Sequence, residues 1–248
     1  KSLTGHTAAV TALAFSSDGT KLISGSADKT VLVFNLADGK TVGKFTGHAQ
    51  PISAVAVLTA NNATAISASS DNTLKVWNVA DGKEQTVKFS TAPGPITALV
   101  GLASGQFITA GDATVRVWNG SYQAGTTIAF GQPVTALAVS ADGTKLAIGG
   151  KDKSAKIYQL DGKPLFTLEG HGAAIRGLAF SADGTRLVPA GTDNVARVYE
   201  VASGLLLEAF PVAAGLNGAQ FAGSAAVVLA GADKSLATQA VHAERVIV

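Results

Sequence analysis

Ser69-Ser70-Asp71-Asn72-Thr73-Leu74-Lys75-Val76-Trp77-Asn78 places an aspartate in a short polar turn and follows it with alternating apolar residues. A period of two between turn residues is the mark of a β-strand. The arrangement returns along the whole chain. Asp28, Asp71, Asp112, Asp152, Asp193 and Asp233 stand 43, 41, 40, 41 and 40 residues apart. A fixed period near forty residues means repeated supersecondary units, each too small to bury its apolar faces without stacking on a neighbour. Counting on from Asp233 to Val248 and again from Lys1 to Asp28 gives another 43 residues, so the spacing predicts six units closing into a ring.

Aligned on these aspartates, each unit reads as four short strands and no helix. The first strands are Val10–Phe15, Ile52–Val57, Ile96–Leu99, Val134–Val139, Ile175–Phe180 and, more loosely, Leu216–Phe221. Three of them lead into nearly one phrase: Ser17-Asp18-Gly19-Thr20, Ala141-Asp142-Gly143-Thr144 and Ala182-Asp183-Gly184-Thr185. Asp-Gly between apolar runs is a hairpin signal, because Gly takes positive φ without steric cost. A second strand precedes the repeat aspartate, and a third follows it: Val31–Asn35, Leu74–Asn78, Val115–Asn119, Ala155–Tyr158 and Ala196–Tyr199. Turns at Asp38-Gly39, Asp81-Gly82, Asp161-Gly162 and Ser203-Gly204 lead to a fourth. Small residues in the first strands (Ala12, Ala14, Ala54, Ala56, Ala136, Ala138) suit a crowded inner position, with bulky Phe34, Trp77, Trp118, Tyr158 and Tyr199 farther out.

Composition narrows the function. Charged residues are 15% of the 248 and the net charge is +2, with no run of five like charges. That balance argues against nucleic acid or an anionic membrane as the main partner. Cysteine is absent, which excludes disulfides, thiolate metal sites and cysteine nucleophiles. No run of 18 apolar residues occurs, and the N-terminus lacks the charged-then-apolar pattern of an export signal. The sequence names no compartment. Methionine is absent even at position 1, from which a processed or excised chain is expected.

Gly47-His48, Ser69-Ser70-Asp71 and Trp77-Asn78 resemble the Gly-His, Asp-turn and Trp-Asp landmarks of WD40 repeats. Gly-His returns at Gly5-His6 and Gly170-His171, and the terminal pair at Phe34-Asn35, Trp118-Asn119, Tyr158-Gln159 and Tyr199-Glu200. The resemblance implies a β-propeller with four antiparallel strands per blade. It places six repeats at residues 5–46, 47–91, 92–129, 130–169, 170–210 and 211–248 with 1–4. Lys1-Ser2-Leu3-Thr4-Gly5-His6 matches the end of Gly43-Lys44-Phe45-Thr46-Gly47-His48, and Arg245–Val248 would begin the same outer strand. N- and C-terminal strands in one blade would then close the ring and remove its free edge. The Ala/Gly/Thr-rich, Asp-Gly-Lys-punctuated repeats look like those of bacterial members, which sit beside enzymatic or signalling domains.

The resemblance also implies a buried hydrogen-bonded set of His, Ser/Thr, Asp and Trp within a blade. Only the second repeat offers all four: His48, Ser67 or Ser69, Asp71 and Trp77. The first offers His6, Ser24 or Ser26 and Asp28, and the fifth His171, Thr192 and Asp193, with Tyr199 in the place of Trp. A His beside an Asp and a Ser invites a triad, but periodic copies fit a structural role, since a triad needs one exposed nucleophile and an oxyanion hole. His242 has no second His beside it for a zinc site. Gly149-Gly150-Lys151 leads into a strand, unlike a phosphate loop. Sialidase-like propellers need a Ser-x-Asp-x-Gly-x-Thr-Trp turn and clustered arginines. Ser17-Asp18-Gly19-Thr20 has the wrong spacing, and the five arginines (Arg116, Arg176, Arg186, Arg197, Arg245) are dispersed. Asn62 and Asn119 fit the glycosylation pattern on a motif short enough to arise by chance.

What remains is surface recognition, and the resemblance implies that peptides or proteins bind at the rim of the central channel, where the Asp turns and first-strand starts lie. Residues before the repeat aspartates are Ala27, Ser70, Gly111, Lys151, Thr192 and Ala232. Second positions of the first strands are Thr11, Ser53, Thr97, Thr135, Arg176 and Asn217. Lys151, Arg176 and Asn217 break an otherwise small, uncharged pattern and form the candidate partner-binding rim, suited to an acidic group or a C-terminal carboxylate. The expectation is a monomeric, non-catalytic protein or peptide interaction scaffold within a larger protein. It uses no cofactor, metal, nucleic acid or membrane. A hydrolase or lyase with a channel pocket and a structural spacer without ligand are the alternatives.

Overall fold

In a computed structural model, residues 2–58, 63–89, 95–111, 113–223 and 225–242 are described. Asp112, Asn62 and the expected closing strand Arg245–Val248 lie outside these residues. The regular structure of the described residues is entirely β, in six antiparallel sheets. The first sheet holds β1 (Val10–Phe15), β2 (Lys21–Ser26), β3 (Val31–Asn35) and β4 (Thr41–Phe45). The second holds β5 (Ile52–Leu58), β6 (Thr64–Ser69), β7 (Leu74–Asn78) and the two-residue β8 (Glu84–Gln85). The third holds β9 (Ala98–Gly101), β10 (Phe107–Gly111), β11 (Thr114–Trp118) and β12 (Ala124–Ala129). The fourth holds β13 (Val134–Val139), β14 (Lys145–Gly150), β15 (Ala155–Gln159) and β16 (Pro164–Leu168). The fifth holds β17 (Ile175–Phe180), β18 (Arg186–Gly191), β19 (Val195–Glu200) and β20 (Leu206–Pro211). The sixth has three strands among the described residues: β21 (Leu216–Ala222), β22 (Ala226–Gly231) and β23 (Leu236–Ala240).

Strands pair in chain order within every sheet, as hairpin connections require. Several strand ends differ from the alternation pattern by one residue. The largest shift is in the strand expected at Ile96–Leu99, which spans Ala98–Gly101; Pro95 and Ile96 lie against Gly111, where an ideal Cβ would meet Pro95 O at 1.6 Å.

Residues 1–129 and 130–248 form two compact units of three sheets each. In the first unit β1 lies beside β5 and β5 beside β9; in the second, β13 lies beside β17 and β17 beside β21. Sheets therefore stack with their first strands adjacent, a propeller-like packing. Between the first and second sheets the core holds Ile23, Val31, Val33 and Phe45 against Ile52, Val55, Val57 and Trp77. Between the fifth and sixth it holds Val188, Ala190, Ala196 and Val198 against Leu216, Phe221, Val227 and Leu229. Phe45 stacks on Trp77 at 5.7 Å between ring centroids, and Phe107 on Trp118 at the same distance.

Close stacking depends on missing side chains in the second strands. A Cβ on Gly25 would lie 2.4 Å from Ile52 Cγ2, and one on Gly149 would lie 2.6 Å from Ile175 Cγ2. Gly25→Ala is therefore expected to cost about 1–3 kcal/mol by overpacking the interface. Gly218→Ala, which meets nothing within 4 Å, is expected to stay within about 0.5 kcal/mol. Urea denaturation of both variants checks this, and equal losses would contradict the packing argument.

Candidate functional site

Five of the six first strands carry a β-bulge at the second residue; β9 pairs with β10 without one. Register shifts fall at Val10/Ala12, Ile52/Ala54, Val134/Ala136, Ile175/Gly177 and Leu216/Gly218. Bulges re-aim side chains at sheet edges, so the residues at this position leave the alternating pattern of their strand. In the first and fourth sheets the bulged residue ties one sheet to the next. Thr11 Oγ1 donates to Ile52 O at 2.7 Å, and Thr135 Oγ1 donates to Ile175 O at 2.5 Å. Arg176 and Asn217 occupy the same position with exposed side chains.

In four of the six repeats the residue before the repeat aspartate is pinned through its backbone. Ala27, Ser70, Lys151 and Ala232 N–H groups donate to Ala9, Pro51, Pro133 and Gly215 carbonyls at 2.8–3.0 Å. Position is thus held whatever the side chain, which leaves the side chain open to vary. Lys151 ends the hairpin edge of β14, and Gly149 abuts Ile175, the residue before Arg176. Lys151 and Arg176 therefore lie at the same end of neighbouring sheets. Gly177 and Gly218 bring β17 and β21 together, an ideal Cβ on Gly177 meeting Gly218 Cα at 3.0 Å. Arg176 and Asn217 thus begin neighbouring strands. Lys151 and Arg176 are exposed and make no side-chain ion pair among the described residues.

Deeper in the turns lie the His, Ser and Asp side chains. His48 Nδ1 donates to Asp71 Oδ2 at 3.2 Å, and the Ser67 hydroxyl donates to Nε2 at 2.8 Å. This tautomer follows because a carboxylate can only accept. The Ala49 N–H and the Thr73 N–H and hydroxyl complete the shell of Asp71. Burial pushes this carboxyl up, but the bonds from Thr73, Ala49 and His48 outweigh it and hold it at about 2. Burial also keeps His48 neutral by lowering its titration. The first sheet repeats the geometry: His6 Nδ1 lies 2.9 Å from Asp28 Oδ2, and Nε2 lies 2.7 Å from Ser24 Oγ. Ser26 and Ser69 play a different part, donating to the Ala8 and Gln50 carbonyls and accepting the Asp28 and Asp71 N–H groups.

Two expected members sit apart. Trp77 Nε1 is buried without a hydrogen-bond partner, while the hydroxyl of Ser67, the equivalent residue, donates to His48. In the third sheet, where no histidine competes, Trp118 Nε1 donates to Thr109 Oγ1 at 2.9 Å. That pair is absent from the sequence-level set, although Thr109 and Ser67 hold the same register.

His171 does not join Asp193. Asp193 Oδ2 accepts from Arg197 Nη1 at 2.7 Å and from the Gly172 N–H at 2.8 Å, while His171 Nδ1 and Asp193 Oδ1 are buried without partners. The cause is local: Pro189 stands where Ser24 and Ser67 stand, and Val195 where Thr30 and Thr73 stand. Both hydroxyls that would complete the set are gone. Thr192 contributes no side-chain contact to this cluster among the described residues.

Ser67–His48–Asp71 and Ser24–His6–Asp28 have the connectivity of a nucleophilic triad. Ser67 is 0% and Ser24 2% exposed, so neither hydroxyl reaches a substrate. Their geometry locks turns. His242 pairs with Glu208 at 3.1 Å, and no group of three His, Asp or Glu converges among the described residues.

The family model described as WD domain, G-beta repeat (WD40) matches residues 1–35, 39–78, 83–119, 125–159 and 162–200. Each match ends on the pair that closes a third strand. The 66 kDa stress protein of Physarum polycephalum is 31% identical over 175 residues, covering 69% of this chain and 28% of that protein. The chain thus spans less than a third of that relative. The crystal structure of the computationally designed Ika8 protein aligns with a TM-score of 0.81 at 28% identity, covering 97% of this chain and 73% of that one. With five matched segments over more than half of its length, and with Asp turns and His–Asp pairs recurring in step with them, the chain belongs to the WD40 repeat family.

Proposed function

We propose that the chain is a non-catalytic interaction scaffold of β-propeller type, one part of a larger polypeptide. Lys151, Arg176 and Asn217 form its rim site, which takes an acidic group or C-terminal carboxylate of a protein or peptide. WD40 repeats generally mediate protein–protein interaction. The observation that carries the reading is a separation of roles. The Ser–His–Asp sets are buried in turn-locking bonds, while Lys151 and Arg176 stand exposed on neighbouring sheets without an ion pair among the described residues. Two unpaired cations near an amide side chain can hold a carboxylate through charge-assisted hydrogen bonds.

Fluorescence anisotropy with acidic peptides carrying free or amidated C-termini tests this. Binding is expected to weaken by about tenfold or more in Lys151→Glu/Arg176→Glu, and to fall as salt rises from about 50 to about 300 mM. Equal affinity for the double variant would overturn the rim site. Absence of binding by the parent chain would favour the spacer reading.

A further inference from the structure

The last residue of each second strand faces the loop that leads into the first strand of its sheet. Register sets the position: Val10, Ile52, Val134, Ile175 and Leu216 pair with Ser26, Ser69, Gly150, Gly191 and Gly231. In the first two sheets a serine hydroxyl ties that loop to the aspartate turn. It donates to the Ala8 or Gln50 carbonyl, two residues before the first strand, and accepts the N–H of Asp28 or Asp71.

Where glycine replaces serine, another group takes the place in three sheets out of four. A Cβ built on Gly150 would lie 2.3 Å from Asp152 Oδ1, and one on Gly231 would lie 2.3 Å from Asp233 Oδ1, so there the aspartate side chain fills it. A Cβ on Gly111 would lie 1.6 Å from Pro95 O, so there the loop does. Gly191 differs. The nearest atoms to its Cβ position are Ala174 O at 3.4 Å, Asp193 Oδ1 at 3.5 Å and Ala173 O at 3.7 Å. Arg197 and the Gly172 N–H hold Asp193 by its other oxygen, Oδ2. Three acceptors therefore border a space that none of them enters. Asp193 Oδ1 is buried without a hydrogen-bond partner. Ala173 O stands where the Ala8 and Gln50 carbonyls stand, with no hydroxyl opposite it. The bond that runs from Ala27, Ser70, Lys151 and Ala232 to the loop has no counterpart from Thr192 to Ala174 among the described residues.

We infer that the fifth sheet binds one buried water at Gly191, in the place of the Ser26 and Ser69 hydroxyls. Buried polar groups are nearly always bonded, and a water holds such a place when two to four polar partners surround it. The water donates to Asp193 Oδ1 and Ala173 O, and accepts the Asp193 N–H as the two serine hydroxyls accept those of Asp28 and Asp71. A hydroxyl has one hydrogen to give and a water has two, which the added carboxylate acceptor requires. A cation fits less well, because Arg197 already balances Asp193 at 2.7 Å. The water ties the aspartate turn of the fifth sheet to the loop that leads into β17. It does not depend on the rim binding a ligand.

High-resolution diffraction from crystals of residues 1–248, with melting curves of Gly191→Ala and Gly191→Ser, tests this. A solvent peak is expected about 2.7–3.0 Å from Asp193 Oδ1 and Ala173 O. No peak overturns the proposal, and so does a peak at the shorter distances of a metal ion. Gly191 is not among the residues with positive φ, so a side chain there brings no backbone strain. Alanine expels the water and strands Asp193 Oδ1, and is expected to lower the melting temperature by about 2–4 °C. Serine restores a hydroxyl and is expected to melt above the alanine variant. In a dry space alanine would stabilise the fold by restricting the unfolded chain. Gly191→Ala melting at or above the parent therefore overturns the water, as does Gly191→Ser melting below Gly191→Ala.

Discussion

Asp71→Ala is expected to lower the melting temperature by about 6–10 °C, equivalent to about 3 kcal/mol for a chain of this size. The carboxylate accepts four hydrogen bonds, from His48 at 3.2 Å, Ala49 N–H at 3.0 Å, Thr73 N–H at 2.9 Å and the Thr73 hydroxyl at 2.6 Å. Alanine strands a buried imidazole N–H and breaks the tie between the Gly-His segment and the turn after β6. The useful comparison is Asp152→Ala. Asp152 holds the same position but accepts only from the Ser154 N–H and hydroxyl, within its own exposed turn. Its loss is expected to cost less than about 1 kcal/mol. Equal melting shifts for the two variants would mean that the long-range bonds to His48 and Ala49 contribute nothing. The acid limb points the same way. Asp71 titrates at about 2 in the folded chain against 3.8 ordinarily, so its contribution is full above pH 3.8 and is lost as pH falls toward 2.

The contrast between these two aspartates shows where sequence reading succeeds and where it stops. Strands and turns were legible because their signals are local: alternation, Asp-Gly pairs and an aspartate followed two residues later by Thr or Ser. Residues after the repeat aspartates take positive φ at Lys29, Asn72, Lys153, Asn194 and Lys234, one shared turn in five settings. Hydrogen-bond partners were less legible, since they depend on three strands at once. Trp77 and Trp118 carry the same indole at the same register, yet of the two only Trp118 finds an acceptor, a difference in side-chain placement that the sequence pattern does not carry. His171 was grouped with Asp193 on the Gly-His landmark alone. The signal against it was present four residues before the aspartate, where proline replaces serine, and two and four after it, where Val195 and Arg197 stand. The proposed rim rests in the sequence only on a departure from a pattern. Lys151 and Arg176 stand out because residues at the equivalent positions are small; a pinned backbone holds Lys151, a bulge precedes Gly177, and both side chains are exposed.

His171 supplies the second large effect, as a dependence of stability on pH. Burial, and secondarily the Arg197 guanidinium, lowers its titration from 6.5 to about 4, and nearby Asp193 offsets this only in part. The unfolded chain therefore takes up a proton below pH 6.5 that the folded chain refuses until about pH 4. Stability is complete above pH 6.5 and declines as pH falls through that window, by about 2–3 kcal/mol at most. His48 is shifted in the same direction by burial and steepens the same limb. His171→Phe keeps the ring contact with Tyr199, whose centroid lies 5.8 Å away, and removes the titration. Urea denaturation at pH 7 and pH 5 is expected to show a clear loss for the parent and a smaller loss for the variant. An identical loss in both would assign the acid sensitivity elsewhere. Pro189→Ser/Val195→Thr/Arg197→Lys gives the fifth sheet the side chains that surround His48 in the second, with Lys75 in the place of Arg197. An Asp193 freed from Arg197 to accept from His171 Nδ1, as Asp71 accepts from His48, is expected to raise the titration of His171 and flatten the pH limb. An unchanged limb would show that burial alone sets the shift.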